Sequence, residues 1–217
     1  MSREQLEAVL QSILGEARLC RTSLPGLAEL QLWLLDPRNL DRAFAPEETR
    51  RLLDTPPYWG FCWGSGLALA RWVLDHPELV RSKRILDFGS GSGIVALACR
   101  LAGASQSIAC DLDGPARQAC AVNARLNDLE LELAADYFAV EGDIDLIIAA
   151  DVLYDSDNRP FLDHFRRRAS QVLVADSRVR NLRHPGYVRL ATLAGQTVPD
   201  LGEPLEFRQV ALYQGLP

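Results

Sequence analysis

The sequence has few of the residues that build metal centres and disulfide frameworks. It contains three histidines and five cysteines in 217 residues. No histidine stands near another histidine or a cysteine, and no two cysteines form a C-x-x-C pair. A zinc site needs clustered ligands of this kind, and a secreted disulfide scaffold usually has an even number of cysteines. The sequence therefore predicts no metal site, and thiols that stay reduced in apolar surroundings.

A surplus of basic residues and a long hydrophobic run are also absent. Lysine and arginine number 23 against 29 aspartates and glutamates, which gives a net charge of −6. Proteins that grip nucleic acids usually carry a basic surplus. No apolar run approaches the roughly 20 residues that span a bilayer, and the first residues lack the apolar core of a signal peptide. We therefore expect a cytoplasmic, soluble protein without nucleic-acid or membrane partners.

Apolar residues make up 48% of the chain, enough for a full globular core. Residues 2–19 carry the apolar periodicity of an amphipathic helix. Five prolines then separate short apolar runs, which is typical of small elements wrapped on a larger core. The sequence predicts an N-terminal helical extension over residues 1–55 and a main domain over residues 56–217.

The main domain alternates short apolar strands with helices of about ten residues, a pattern typical of a parallel, doubly wound sheet. Two further apolar stretches near the C-terminus suggest a hairpin. The predicted fold is thus α/β and Rossmann-like, with a mostly parallel sheet, an antiparallel C-terminal hairpin and an N-terminal helical extension. The predicted strands are 84–87, 107–111, 129–134, 145–150, 171–175, 193–198 and 207–213, and the predicted helices are 66–74, 94–101, 116–126 and 161–169.

An Asp-x-Gly-x-Gly-x-Gly pattern follows the first strand of the main domain, formed by Asp87, Gly89, Gly91 and Gly93. Glycines here allow the backbone to turn tightly beside a ligand. Dinucleotide binding requires G-x-G-x-x-G/A, but Ile94 occupies the last position of that pattern. A carboxylate before the loop would repel a pyrophosphate and suits a ligand that carries an ammonium and a sulfonium. The pattern therefore favours S-adenosyl-L-methionine over NAD.

This segment resembles motif I of the class I S-adenosylmethionine-dependent methyltransferases. Asp111 ends the second strand, where the resemblance implies a carboxylate that accepts both ribose hydroxyls. Asp136 ends the third strand and resembles the residue beside the adenine amino group, with Tyr137 as a neighbouring wall. S-adenosyl-L-methionine is the cofactor that the resemblance implies. The alternative for Asp111 and Asp136 is an ordinary acidic loop residue.

The fourth strand ends in Asp151-Val152-Leu153-Tyr154, which resembles the Asp-x-x-Tyr motif of the seven-strand protein lysine methyltransferases, methyltransferase family 16. Upstream, residues 57–66 and 69–77 resemble the electron transfer flavoprotein β-subunit lysine methyltransferases and their bacterial relatives, the predicted nicotinamide N-methylases. The resemblance implies either a protein substrate, such as the electron transfer flavoprotein β subunit, or a small-molecule amine or pyridine. Residues 175–178 read Ala-Asp-Ser-Arg where that group tends to have Gly-Asp-Pro-Gly-Arg.

Two groups of candidate residues follow from this resemblance. Asp151 would orient the acceptor amine and Tyr154 would wall its channel; the alternative is that they cap a strand and fill a corner. Tyr58 and Trp63 would form an aromatic lid that attracts the sulfonium, or else a packed corner. The region 166–189 is rich in arginine, which indicates either a solvated face or a docking patch for an acidic partner.

Overall fold

The structure, a computed structural model, describes residues 2–216. Its centre is a seven-stranded sheet flanked by helices. In chain order the elements are α1 (Arg3–Ile13), β1 (Leu19–Leu24), β2 (Leu27–Leu35), α2 (Pro46–Asp54), α3 (Gly64–Asp75), β3 (Arg84–Phe88), α4 (Ile94–Leu101), β4 (Gln106–Cys110), α5 (Gly114–Leu126), β5 (Glu132–Ala134), β6 (Ile144–Ala150), α6 (Phe161–Arg168), β7 (Ala169–Asp176), β8 (Tyr187–Ala194) and β9 (Gln209–Gly215).

The strand order of the large sheet is β5-β4-β3-β6-β7-β9-β8. Strands β3 to β7 are parallel to one another, whereas β9 is antiparallel to both β7 and β8. The predicted Rossmann-like sheet with an antiparallel C-terminal hairpin is confirmed. The order reverses between β3 and β6, and ligands of open α/β sheets bind beside such a switch point.

Both faces of the parallel sheet are buried, as its apolar strands require. Successive side chains enter different clusters because strand residues alternate between faces. Ile85 and Ile148 belong to the cluster that contains residues of α3 and α4. Leu86 and Ile147 belong to the cluster on the other face, which contains residues of α6. Residues at the carboxyl ends of these strands are therefore held by a rigid layer.

The N-terminal extension is helical only at its ends. Helix α1 starts at the Ser2 cap predicted from the sequence but ends at Ile13, before the predicted end at residue 19. Between α1 and α2 lies an antiparallel hairpin of β1 and β2 that the sequence analysis missed. Its turn contains Pro25 and Gly26, and Gly26 has a φ of 65°. Proline followed by glycine favours a type II turn. The sequence therefore contained a signal for this hairpin.

Two asparagines, the buried Asn123 of α5 and the half-buried Asn127 directly after this helix, fasten the hairpin to the main domain. Asn127 exchanges two hydrogen bonds with the backbone of Gln31, at 2.9 and 2.7 Å. Asn123 accepts the Trp33 backbone N–H at 2.7 Å and donates to the Ser92 carbonyl oxygen at 2.9 Å. These bonds satisfy backbone groups at the free edge of β2. They also connect the hairpin to the glycine-rich loop.

Strand boundaries near the C-terminus differ from the prediction. Strand β8 covers residues 187–194, not 193–198, and β5 is only three residues long. β8 is the edge of the sheet and is largely exposed, although most of its residues are apolar. The chain after it pairs elsewhere: Val198 exchanges two backbone hydrogen bonds with Cys62, at 2.8 and 2.9 Å. That pairing places the β8–β9 loop beside the segment that leads into α3.

The predicted division near residue 55 stays a prediction. Residues on both sides of it share one apolar cluster. That cluster contains Leu6 and Leu10 from α1, Leu35 from β2, Trp59, and Ala119 from α5. The extension thus packs directly on α5 at one side of the main domain.

Within residues 2–216, no helix is long and apolar enough to cross a membrane, and no three His, Cys, Asp or Glu side chains are grouped to hold a metal ion. All five cysteines are free thiols, and four of them are buried. Burial raises the pKa of Cys62, Cys110 and Cys120 to about 12. These thiols are therefore protonated and poorly nucleophilic at neutral pH.

Candidate active site

The carboxyl ends of the parallel strands open into a cavity of about 530 Å³, within the usual range for small-molecule sites. Most of the predicted site residues meet there, although they come from segments almost 100 residues apart. Those that line the cavity are Tyr58, Trp63, Gly89, Gly91, Asp111, Asp136, Asp151 and Tyr154. Asp87 and Gly93 do not line it.

The glycine-rich loop forms part of the cavity floor in a conformation that glycine adopts readily. Gly89, Gly91 and Gly93 have φ angles of 69°, 51° and 83°, in the left-handed region that other residues rarely occupy. A Cβ on Gly89 would lie 2.8 Å from Cγ1 of Val152, whereas a Cβ on Gly91 would meet no atom within 4 Å. Glycine at position 89 thus prevents a clash with the segment after β6. The backbone of Gly91 borders open cavity space.

Asp111 lies at the carboxyl end of β4 and is fixed by two backbone donors. Its Oδ2 accepts the N–H of Gly91 at 2.9 Å, and its Oδ1 accepts the N–H of Asp113 at 3.0 Å. A carboxylate offers about four lone-pair sites, so each oxygen can accept one further hydrogen bond. Two vicinal hydroxyl groups of a ribose are donors that fit this capacity.

Asp136 and Tyr137 follow β5 on the same side of the cavity. One Asp136 oxygen accepts the Phe138 backbone N–H at 2.9 Å. The ring of Tyr137 is buried, with its centroid 5.8 Å from that of Phe88 and 5.4 Å from that of Phe161. Phe88, Tyr137 and Phe161 all line the cavity. The Asp136 carboxylate lies beside a wall formed by these three aromatic rings. This arrangement is suited to a flat heterocycle with an exocyclic amine.

Asp87 is buried behind the glycine loop, with 2% of its surface exposed. Its Oδ2 accepts the N–H of Ala96 in the first turn of α4, at 3.1 Å. Burial raises the pKa of Asp87 to about 7, and the nearby Asp111 adds to this effect, whereas the Ala96 hydrogen bond opposes it. The position of Gly93 is also behind the cavity, since its Cβ would lie 3.0 Å from Sγ of Cys120. Both residues shape the loop from behind, and contact of either with a cofactor stays a prediction.

The Asp87→Asn variant is expected to gain more stability over the wild type at pH 8 than at pH 5. Between pH 3.8 and about 7 the folded protein keeps a proton that the unfolded chain has lost, so the free energy of unfolding falls as pH rises through this window. Asparagine carries no charge and can still accept the Ala96 N–H. We expect a gain of about 1 kcal/mol or more at pH 8, or about 3 °C in Tm.

Thermal unfolding measured at both pH values checks this prediction. The exposed Asp143→Asn variant is the control for removal of a surface charge. An equal change in Tm at pH 5 and pH 8 for Asp87→Asn would contradict it, because the effect would then not follow ionisation.

Asp151 follows β6 and is held by more partners than its motif reveals. Its φ of 51° is in the left-handed region, which Asp and Asn tolerate better than most residues. Its Oδ1 accepts from Ser65 Oγ at 2.6 Å, Ser177 Oγ at 2.9 Å and Ser177 N–H at 3.1 Å. Within residues 2–216, Oδ2 accepts one hydrogen bond, from the Ser65 N–H at 3.0 Å. The carboxylate therefore joins α3, β6 and β7, and Oδ2 retains capacity for a further donor.

Three aromatic rings surround the mouth of the cavity. The Tyr58 centroid lies 5.8 Å from that of Trp63 and 5.9 Å from that of Tyr154. Trp63 Nε1 donates to the Tyr58 backbone carbonyl oxygen at 2.9 Å, which ties the Trp63 ring to the Tyr58 backbone. Burial raises the pKa of the Tyr154 hydroxyl above 10, with Tyr58 and Asp155 adding to the shift. That hydroxyl therefore stays protonated at neutral pH and is available as a hydrogen-bond donor.

Several lining residues were missed by sequence reasoning. Leu112 lines the cavity and is 85% exposed although it is apolar. Its place directly after Asp111 could have indicated that it belongs to the site. Asp113 and Asp155 line the cavity too, and so does Arg178 after β7. The arginine was noted only as one member of a basic region.

The described lining of the cavity is strongly acidic. It contains five aspartates and one basic residue, Arg178. The negative electrostatic potential of these aspartates disfavours a pyrophosphate. It favours a cation beside the glycine loop and the aromatic mouth. The residues present therefore fit S-adenosylmethionine, whose sulfonium is attracted to aromatic faces as well as to carboxylates.

The fold and this site define a class I S-adenosylmethionine-dependent methyltransferase. The family model of ribosomal protein L11 methyltransferases matches residues 71–156. The solved ribosomal protein L11 methylase of Lactobacillus delbrueckii superposes with a TM-score of 0.55 at 19% identity, covering 89% of each chain. The magnesium protoporphyrin IX methyltransferase of Synechocystis, solved with bound S-adenosylmethionine, has a TM-score of 0.53 at 14% identity and covers 82% of this chain and 87% of that one.

Relatives that are similar in sequence show to which family of methyltransferases the chain belongs. The electron transfer flavoprotein β-subunit lysine methyltransferase of Rattus norvegicus is 35% identical over 181 residues, which are 79% of this chain and 70% of that protein. The Xenopus laevis enzyme is 34% identical over 188 residues, covering 82% and 75%. The chain belongs to the family of electron transfer flavoprotein β-subunit lysine methyltransferases. It spans 60% of the length of the mouse relative.

Proposed function

We propose that this enzyme transfers the methyl group of S-adenosylmethionine to the ε-amine of a protein lysine, and that the electron transfer flavoprotein β subunit is its acceptor. The observation that carries the proposal is the mouth of the cavity, where Tyr58 and Tyr154 flank the partly free carboxylate of Asp151. Tyr58 is 46% exposed and Tyr154 is 58% exposed. A lysine on the surface of another protein can enter between them. The names of the relatives support the same acceptor.

The residues of the cavity divide between cofactor and acceptor. Gly89, Gly91, Asp111 and Asp136 would hold the adenosyl part, at the carboxyl ends of β3 to β5. S-adenosylmethionine supplies a methyl group on a positively charged sulfur. Displacement at that carbon requires an in-line approach by an uncharged amine.

On the acceptor side, Asp151 and Tyr154 would orient the amine. Oδ2 of Asp151 can accept one N–H, while its other bonds to Ser65 and Ser177 keep the carboxylate in place. A carboxylate alone would favour the charged ammonium, whereas burial among aromatic rings lowers the pKa of a lysine. The lysine would therefore release its proton to solvent as it enters the mouth of the cavity, and Asp151 would then hold an N–H of the neutral amine.

Methyl transfer to the proposed acceptor tests this function directly. Purified enzyme is incubated with methyl-labelled S-adenosylmethionine and recombinant electron transfer flavoprotein β subunit, and modified residues are mapped by mass spectrometry. We expect label on lysine side chains. A parallel incubation with cell extract is separated into protein and small-molecule fractions. Label confined to the small-molecule fraction, with none on the β subunit, would overturn the proposal in favour of a small amine acceptor.

A further inference from the structure

The glycine-rich loop, residues 89–93, rests on one face of α5. Cys120 and Asn123 of this helix are three residues apart and therefore lie on the same face. The Cys120 thiol is 3.4 Å from the carbonyl oxygen of Gly91, and Nδ2 of Asn123 donates to the carbonyl oxygen of Ser92 at 2.9 Å. Cys120 and Asn123 do not line the cavity, whereas Gly91 does. Helix α5 thus supports the loop from outside the cavity.

Asn123 connects this loop to a second element, the N-terminal hairpin. Its side chain is completely buried and forms hydrogen bonds at both ends of the amide. Nδ2 donates to Ser92 in the loop, and Oδ1 accepts the backbone N–H of Trp33 in β2 at 2.7 Å. Buried polar groups are almost always paired, so a shift of either segment would leave part of this amide without its partner. One side chain therefore joins the positions of the loop and the hairpin.

Asn127 holds the same hairpin but does not contact the loop. Its Oδ1 accepts the Gln31 N–H at 2.9 Å, and its Nδ2 donates to the Gln31 carbonyl oxygen at 2.7 Å and to the Asn123 carbonyl oxygen at 2.7 Å. Within residues 2–216, the Asn127 side chain has no hydrogen bond to residues 89–93. The two asparagines thus share a role in the hairpin and differ in the contact with the loop.

The loop needs such support because its backbone is unusually free. Gly91 and Gly93 flank Ser92, and both are in the left-handed region, with φ angles of 51° and 83°. Glycine loses more conformational freedom on ordering than any other residue, and that loss weakens binding if it occurs when the ligand arrives. The Asn123 bond to Ser92 orders the loop between these two glycines before the cofactor binds.

The hairpin also supports the aromatic side of the cavity. Leu35 of β2 belongs to the same apolar cluster as Trp59, and the rings of Trp33 and Trp63 pack against that cluster. Trp59 and Trp63 both line the cavity. Two separate parts of the cofactor cavity, the glycine-rich loop and the tryptophans, are therefore in contact with residues that β2 holds in place.

We propose that Asn123 is a positioning residue for the cofactor, because it couples the docked β1–β2 hairpin to the glycine-rich loop. S-adenosylmethionine then binds more tightly when the hairpin is docked on α5 than when it is displaced. Coupling between two sites is reciprocal, so the bound cofactor must in turn hold the hairpin in place. This inference concerns cofactor binding and is independent of the identity of the methyl acceptor.

Two alanine variants test the role of the side chain. Asn123→Ala removes one hairpin bond and the loop bond, whereas Asn127→Ala removes both Gln31 bonds and leaves the loop bond intact. The Kd for S-adenosylmethionine is measured by calorimetry at a temperature at which circular dichroism shows both variants folded. We expect a Kd about tenfold higher for Asn123→Ala, within the usual range of coupling between sites, and a change below about twofold for Asn127→Ala.

Hydrogen exchange in the wild type tests the reciprocal effect without any substitution. Exchange of the Trp33 amide, the group that Asn123 accepts, is followed by NMR with and without saturating S-adenosylmethionine. We expect the cofactor to slow it about tenfold, by the same factor that separates the two Kd values. The amides by which β8 pairs with β9 are the reference, because this hairpin forms the opposite side of the sheet. Their exchange should change less than about twofold.

Equal weakening of cofactor binding in the two alanine variants would overturn the inference, because docking of the hairpin alone would then explain it. An unchanged Kd in folded Asn123→Ala would overturn it as well. Equal slowing of the Trp33 and β8 amides would show that the cofactor stabilises the whole fold without a specific coupling. If Asn123→Ala does not fold, the exchange measurement on the wild type decides between these outcomes.

Discussion

Asp151→Asn is expected to lower the turnover of methyl transfer at least about tenfold, while the Kd for S-adenosylmethionine stays within about threefold. Asparagine fits the left-handed backbone at this position, and its amide oxygen can keep the bonds that Oδ1 accepts from Ser65 and Ser177. Its amide nitrogen replaces Oδ2, so it can accept neither the Ser65 N–H nor an N–H from the acceptor. A lost positioning contact worth about 1.4 kcal/mol in the transition state lowers the rate tenfold.

Ser177→Ala separates positioning of the amine from support of the fold. This variant removes one hydrogen bond from Oδ1 of Asp151 but keeps the carboxylate and the backbone N–H bond at 3.1 Å. We expect its turnover to stay within about threefold of the wild type. Equal losses in Asp151→Asn and Ser177→Ala would show that Asp151 acts only as a structural junction.

Tyr154→Phe tests the second residue that would orient the acceptor amine. It keeps the ring, whose centroid lies 5.9 Å from that of Tyr58, and removes only the hydroxyl. Its effect on turnover should be smaller than that of Asp151→Asn. Normal turnover in Asp151→Asn would instead contradict the lysine-type site and favour an uncharged small-molecule acceptor.

The parts of the site that could be predicted from sequence are encoded locally. A buried strand followed by Gly89, Gly91 and Gly93 specifies both a turn and its place at the end of a parallel strand. Asp111 stands directly after β4 and Asp151 directly after β6, the two strands that pair with β3. Because the carboxyl ends of parallel strands meet at one edge of the sheet, sequence order alone brought these side chains into the same cavity.

What the sequence did not reveal depends on contacts between distant segments. Nothing near Asn123 or Asn127 shows that their amides bind the backbone of β2, more than 80 residues earlier. The bonds from Ser65 and Ser177 to Asp151 join residues 86 and 26 positions from it. Small polar residues give no periodic signal, since their role is decided by the partner that folding brings to them.

The position of the β8–β9 loop could not be predicted for a related reason. Its two ends were assigned from apolar runs, but the edge strand β8 is largely exposed and β9 begins two residues later than expected. Glu203 and Phe207 meet Arg178 only because Val198 pairs with Cys62. Edge strands and long loops are positioned by tertiary contacts more than by their own composition.

Asp111→Ala is expected to weaken S-adenosylmethionine binding by roughly tenfold to a hundredfold. If the two oxygens of Asp111 accept the ribose hydroxyls, their loss removes charge-assisted hydrogen bonds worth about 1.5–3 kcal/mol. The substitution also leaves the N–H groups of Gly91 and Asp113 without their acceptor, which loosens the floor of the cavity. Asp111→Asn keeps one carbonyl oxygen and should give an intermediate Kd.

Asp113→Asn provides the matched control, because it removes one negative charge from the same cavity two residues away. Burial raises the pKa of Asp113, so Kd is measured by calorimetry at pH 8, well above the ordinary pKa of an aspartate. We expect less than about a threefold change for Asp113→Asn. An equal weakening in Asp113→Asn and Asp111→Ala would mean that only the field of the acidic cavity holds the cofactor. An unchanged Kd in Asp111→Ala, with Tm also unchanged, would show that the ribose is bound by another residue.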